Sequence, residues 1–247
     1  MGQQVSTNFK YRCEKKPREH ASRMCGRFAL FEEKEVLEGF FGFQIDLDFG
    51  PHYDIRPTDQ VLSFAHHGAS LMRWALLPAW EKSNQVRYAT FNARLEEAAT
   101  KPAFRSSVIA NRRCVIPASG FYEWKDVAKK KKDRYYFRRL DGKPLAMAGL
   151  WDTWKGGGVE IVSCTILTTE ANELIRPIHA KHRMPVILDA NEISEWLDPN
   201  TPSDSLFRKH ATGFAAGRME TYKVDSRLRE DDKRLVEKYE EPELFKL

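Results

Sequence analysis

Apolar residues along this chain fall mostly into short runs of strand length, punctuated by glycine and proline, with helical spacing in only a few places. The stretch Phe31–Phe41 (FEEKEVLEGFF) has helical spacing and predicts an amphipathic helix. From Gly50 to Trp80 the pattern gives short strands and turns, with Pro51, Pro57 and Pro78 as breakers. Asn92–Phe104 opens on an N-cap residue and holds good helix formers, so it predicts a helix that Pro102 stops. Cys114–Trp124 and Arg134–Leu140 flank the lysine run 129–132, which predicts a long hairpin with a solvated, charged tip. Two further strands, Leu145–Trp151 and Glu160–Leu167, are joined at Gly156, Gly157 and Gly158. That glycine run lacks the spacing of a phosphate loop and reads as a hairpin turn. Thr169–Arg176 predicts a short helix and Pro185–Leu188 a strand. Asp189 with Glu192 forms a capping box for a helix running through Trp196. Repeats and heptads are absent. The pattern predicts an α+β fold in a single domain, with strands dominating and closing into a barrel-like mixed sheet flanked by helices.

At 247 residues the chain is long enough to bury a core without disulfide or metal support. No apolar run approaches the roughly 20 residues of a membrane span, and the N-terminus lacks the apolar segment of a secretory signal. Cys13, Cys25, Cys114 and Cys164 show no paired spacing, which fits a reducing compartment. A zinc site using His179 and His182 with a distant cysteine is the weaker reading, and no metal or organic cofactor is expected. Charge is uneven. Residues 1–23 hold six basic and two acidic residues and so carry +4 of the chain's net +5. They read as a disordered extension. The remaining body is near neutral, and any nucleic-acid binding needs a local basic groove rather than bulk charge. The segment from Asp225 is densely charged, and its Leu228, Leu235 and Tyr239 look too widely spaced to build a core. The expected division is therefore 1–24 extension, 25–224 catalytic domain and 225–247 charged tail.

Four separated segments stand out: Met24–Phe28 (MCGRF), Phe91–Thr100 (FNARLEEAAT), Pro117–Trp124 (PASGFYEW) and Pro177–Leu188 (PIHAKHRMPVIL). In this order they resemble the SOS response-associated peptidase family, whose members crosslink to abasic sites in single-stranded DNA. The resemblance implies that Cys25 is the N-terminal nucleophile. It implies that Asn92, Glu123 and His179 are its catalytic partners, and that Arg27 and Arg94 hold DNA phosphates. Trp74 and Trp80 fall in the region matching a DNA-proximal loop, where a ring can stack on a base. Taken singly, each residue has an ordinary reading: a buried thiol, a helix N-cap, a solvent-facing strand carboxylate, a satisfied histidine, surface ion pairs and core tryptophans. Co-occurrence in family order selects the functional reading for Cys25, Asn92 and Glu123. His182 remains a second candidate beside His179.

The chemistry suits these residue types. A free N-terminal cysteine carries an amine and a thiol on adjacent carbons. Its α-amine, with a pKa of about 7.7–8.0, is partly neutral near pH 7 and can attack the aldehyde of an abasic sugar. The thiol then closes a thiazolidine ring. His179, expected to titrate near neutrality, would shuttle protons. Glu123 would orient groups or move protons, and Asn92 would hydrogen-bond the cysteine backbone or the sugar. Strand cleavage by β-elimination is a side reaction of the same imine.

Three departures from the family pattern matter. Residues 1–24 precede Cys25; either translation starts at Met24, or the extension is removed, by the protein itself among other routes, or it is retained and blocks the chemistry. Asp54 stands where an amide is expected, with Arg56 as its local partner. The spacing from His179 to Met184 is long. The expected partner is single-stranded DNA with abasic sites; no membrane is involved and nothing demands more than a monomer. Replication partners are not readable from the sequence. The expected location is cytoplasmic and nucleoid-associated in a bacterium, nuclear in a eukaryote. The rival functions are a cysteine protease or amidohydrolase acting on proteins, and a non-covalent single-strand binder.

Overall fold

Gly157 and Gly158 take φ angles of 59° and 76°, the left-handed pair that suits a tight hairpin turn. They join two long strands, the second of them rich in β-branched residues, and this hairpin organises the molecule. The computed structural model describes residues 26–84, 89–129, 131–228 and 231–240. In chain order the elements are β1 (Phe28–Leu30), α1 (Lys34–Phe41), β2 (His52–Ile55), β3 (Gln60–Ala65), β4 (Gly68–Trp74), β5 (Asn92–Arg94) and α2 (Pro102–Ile109). Then come β6 (Arg113–Ala118), β7 (Gly120–Ala128), β8 (Lys131–Arg139), β9 (Leu145–Gly156), β10 (Val159–Glu170), β11 (Arg183–Pro185) and β12 (Ile187–Leu188). The chain ends with α3 (Ile193–Leu197), α4 (Ser203–Lys209) and β13 (Met219–Val224), followed by a short 3-10 turn, Lys233–Val236.

Strands β10, β9, β6, β3 and β4 pair in sequence as antiparallel neighbours, and β4 returns to pair with β10 in parallel. The circuit closes into a five-stranded barrel, which removes its exposed edges. Beyond β4, strand β10 also pairs with β5 in parallel and with β11 in antiparallel fashion. A second, antiparallel sheet runs in the order β13-β8-β7-β1-β2. The chain passes from barrel to sheet at Ser119. At the next residue, Gly120, a Cβ atom would lie 2.4 Å from Cζ of Tyr136 and 2.5 Å from the Phe137 carbonyl oxygen, so a larger residue cannot occupy the crossing.

One core fills the barrel and the space between barrel and sheet, with Phe121 stacked on Phe137 and Phe41 stacked on Phe64. The strand-dominated, barrel-like α+β architecture read from the sequence is the one observed.

Several elements differ from expectation. Helix α1 is shorter than Phe31–Phe41, because Phe31 instead stacks on Tyr53 and donates its N–H to Ser119 Oγ. Asn92 caps no helix: residues 92–94 form β5, and Pro102 begins α2 rather than ending a helix, the position where its missing N–H costs nothing. Thr169 belongs to β10, and residues 173–178 form turns rather than a helix. The capping box at Asp189 and Glu192 is present, opening a 3-10 turn that leads into α3. The segment after Asp225 is not core-free. Leu235 is fully buried with Ala29, Tyr122, Tyr136 and Val224, and Leu228 packs against this second cluster on the outer face of the antiparallel sheet. Spacing along the sequence was a poor guide there, because the sheet already supplies most of the cluster. Residues 1–25, where the disordered extension and Cys25 were read, lie outside the described residues.

Candidate active site

Side chains alternate across a strand, so Phe121 and Glu123 of β7 share one face while Tyr122 and Trp124 share the other. Phe121 lies in the main core and carries Glu123 with it to the inside; that carboxylate is 1% exposed, not solvent-facing. Its neighbour across the site comes from the turn after β10. There the Asn172 side-chain oxygen accepts the N–H groups of Leu174 and Ile175, and Ile175 is buried in the core. The His179 N–H then donates to the Ile175 carbonyl at 3.0 Å. The Arg183 backbone N–H donates to His179 Nδ1 at 3.1 Å, so a neutral ring carries its proton on Nε2. Nε2 lies 3.6 Å from Glu123 Oε2, beyond hydrogen-bond distance, and has no hydrogen-bond partner among the described residues. Burial pushes the imidazole down to about 4, reinforced by nearby Lys181. The expectation of a histidine titrating near neutrality is therefore corrected: at pH 7 the ring is neutral, with its N–H on Nε2.

His182 turns away from this pair. Its φ of 51° is left-handed, its ring is exposed, and Nδ1 lies 2.9 Å from the Arg176 carbonyl oxygen. Of the two histidines, it is His179 that lies beside Glu123. Among the described residues no three His, Cys, Asp or Glu side chains converge as metal ligands.

Cys25 itself lies outside the described residues, but the chain just after it is described. The Arg27 carbonyl accepts the Tyr122 N–H at 3.0 Å, beside Glu123. The Arg27 guanidinium reaches Asp54 on β2, a buried carboxylate that also accepts from Arg56 Nε at 2.9 Å.

The remaining candidates line a groove of about 510 Å3 that includes Trp80, Asn92, Arg94, Glu97, Lys101 and Phe104. Asn92 reaches it from β5, which β10 holds in parallel register with Asn92 opposite Ile166. Arg94 Nη1 is 3.0 Å from Glu97 Oε1. Trp80 is 53% exposed on the loop after Pro78. That loop is tied down by Ala79 N–H donating to Asp152 Oδ2 at 3.3 Å and Trp154 Nε1 donating to the Glu81 carbonyl at 2.7 Å. Trp74 does not share the stacking role expected of it. It is fully buried between Phe28 and Phe91, with Nε1 donating to the Phe91 carbonyl, and no face of its ring is open to a base.

Two supporting residues went unread. Arg183 forks onto both Glu96 oxygens at 2.6 and 2.9 Å, tying the His179 turn to the segment after β5; its signal was the RMP element, used only as a landmark. Asp152 is a lone buried acid in an aromatic run, paired with Arg112 at 3.1 Å.

Comparisons with known proteins bear on the chain as a whole. The chain is 36% identical over 211 residues to abasic site processing protein YoqW of Bacillus subtilis, covering 82% of this chain and 93% of that protein. Chicken abasic site processing protein HMCES is 34% identical over 150 residues, spanning 51% of this chain and 44% of its own length. A crystallised protein from Bacteroides thetaiotaomicron superposes with a TM-score of 0.80 at 26% identity, covering 87% of this chain and all of that one. Residues 24–230 match the family described as SOS response associated peptidase, and the chain belongs to that family.

Proposed function

We propose that this protein captures abasic sites in single-stranded DNA covalently, through the amine and thiol of Cys25 once residues 1–24 are gone. The observation that carries this reading is the backbone bond from Tyr122 to Arg27. It holds the chain two residues after Cys25 against the strand residue that precedes Glu123. Cys25 is two residues from that anchor in the sequence, at most two Cα–Cα steps of about 3.8 Å each, which supports a reach to the buried Glu123–His179 pair. The names of the relatives, abasic site processing proteins, support the same target.

The Cys25 amine attacks the open aldehyde, and Glu123 takes the proton that the nitrogen sheds. The same carboxyl group returns a proton to the hydroxyl, which leaves as water and gives the imine. The thiol sulfur then adds to the imine carbon, its proton goes to nitrogen, and the thiazolidine ring closes. The His179 Nε2–H donates a hydrogen bond to the sugar or carbinolamine oxygen throughout. Asn92 orients the sugar, Trp80 offers a stacking face, and Arg27 and Arg94 hold flanking phosphates. Where the extension is translated, Cys25 Sγ attacks the Met24 carbonyl carbon and frees its own amine; hydrolysis of the resulting thioester releases residues 1–24. Elimination from the imine gives the lyase side reaction.

The test uses protein begun at Met24, with a free Cys25 confirmed by intact mass. It is mixed with a single-stranded oligonucleotide carrying one uracil, before and after uracil removal, and run on a denaturing gel. A heat-resistant shifted band is expected only with the abasic strand and is abolished in Cys25→Ala. No band with Cys25 free, or an undiminished band in Cys25→Ala, would overturn the reading.

A further inference from the structure

Two carboxylates near the site stand in the same relation to their neighbours. Asp54 sits between Arg27 and Arg56, one oxygen accepting from each. Glu97 sits between Arg94 and Lys101, with Oε1 3.0 Å from Arg94 and Oε2 3.4 Å from Lys101. Each time, one negative group divides its two oxygens between two cations and cancels half their charge. A DNA phosphodiester presents the same features: two unesterified oxygens sharing a single negative charge. A cation pair that fits one carboxylate therefore fits one phosphate, and the two compete for the same donors.

The geometry points to Asp54 and Glu97 as internal phosphate surrogates that hold down the affinity of this site for intact single-stranded DNA. This rests on the reading of Arg27 and Arg94 as phosphate contacts. A strand held by Arg94 in the groove and by Arg27 beyond it must displace each carboxylate or share its cations, so non-covalent affinity stays low. Selection of abasic strands then falls to bond formation at the aldehyde rather than to grip on the backbone. The near-neutral charge of the chain after residue 23 fits this arrangement. Asp54 adds a negative charge at the position where the resemblance leads one to expect an amide.

The test measures binding of the full 247-residue chain to a labelled, undamaged oligothymidylate by fluorescence anisotropy across a salt series. Asp54→Asn and Glu97→Gln keep shape and remove charge. Each is expected to tighten binding about 3- to 10-fold at low salt. Each should also steepen the slope of log K against log salt by about 0.7, the increment for one more phosphate contact on a single strand. The two effects should multiply in the double variant, because the pairs share no residue. Affinity and slope unchanged from wild type in Glu97→Gln, or weakened binding in either folded variant, would overturn the proposal. Glu97 is on the surface, so that variant decides the matter even if Asp54→Asn fails to fold. The oligonucleotide carries no aldehyde, so the outcome does not depend on Cys25. Failure to crosslink an abasic strand sinks the capture reading, whereas failure here leaves capture standing.

Discussion

The Glu123–His179 pair and the groove of Trp80, Asn92 and Arg94 are built on opposite principles. The pair is almost wholly withdrawn from water; burial holds the His179 ring neutral and one backbone N–H fixes its tautomer. The groove is half open, and its charges are set by neighbours of opposite sign that solvent and salt can screen. Proton transfer needs a fixed geometry and a dry setting. A strand of arbitrary sequence needs contacts that adapt. The difference predicts that variants in the pair change rate and pH response, whereas variants in the groove change affinity and salt response.

The largest effect expected from breaking the pair is on rate. Glu123→Gln keeps the shape but removes the base and should slow crosslinking about 10²–10⁴-fold in single-turnover gels, with little change in binding to an undamaged strand. A comparable loss in binding would erase the distinction between the two regions. The next largest effect contrasts two tryptophans. Trp74→Ala should cost about 3–5 kcal/mol of stability by denaturant unfolding, because it empties a fully buried core site and removes the hydrogen bond to the Phe91 carbonyl. Trp80→Ala should stay within about 0.5 kcal/mol in the same measurement.

The third prediction concerns acid. The His179 imidazole has a folded value of about 4 against about 6.5 unfolded, so between these pH values the unfolded chain binds more protons. Its contribution is fully present above about pH 6.5 and is lost as pH falls toward 4, amounting to roughly 3 kcal/mol. Unfolding curves at pH 7 and pH 4.5 should show this loss in wild type and a smaller one in His179→Gln. Equal acid losses would mean that burial does not govern the ring. The smallest effect lies in the groove, where Trp80→Ala should weaken single-strand binding by about 1–3 kcal/mol, the value of one stacked base.

Much of this was legible in the chain, and the misreadings have physical reasons. The glycine hairpin, the capping box at Asp189 and the strand-rich middle are local signals, and all appear in the fold. The Asn92 segment misled because its composition suits a helix, while parallel pairing with β10 is a long-range contact no local pattern reports. Leu235 looked isolated because its partners come from β1, β7, β8 and β13. In the site, resemblance pointed to Glu123 and His179, but spacing alone could not say which histidine lies beside Glu123. The structure puts His179 there and turns the exposed His182 away. Nor could sequence separate Trp74 from Trp80, since aromatic residues serve core and surface alike.

Strand β10 touches more of this machinery than its own side chains suggest. Along one edge it holds β4 and then β5, which carries Asn92 and Arg94; past its end the chain enters the turn that bears His179, and β11 closes that turn back onto it at Thr168–Pro185 and Glu170–Arg183. One strand thus acts as a common ruler for both halves of the site. A turn whose two ends are stitched to the same ruler can gain or lose residues without moving the distance it spans. The interval between His179 and Met184 is accommodated within that turn, where His182 takes its left-handed φ, while both ends stay fixed on β10 and the spacing between the buried pair and the groove is held.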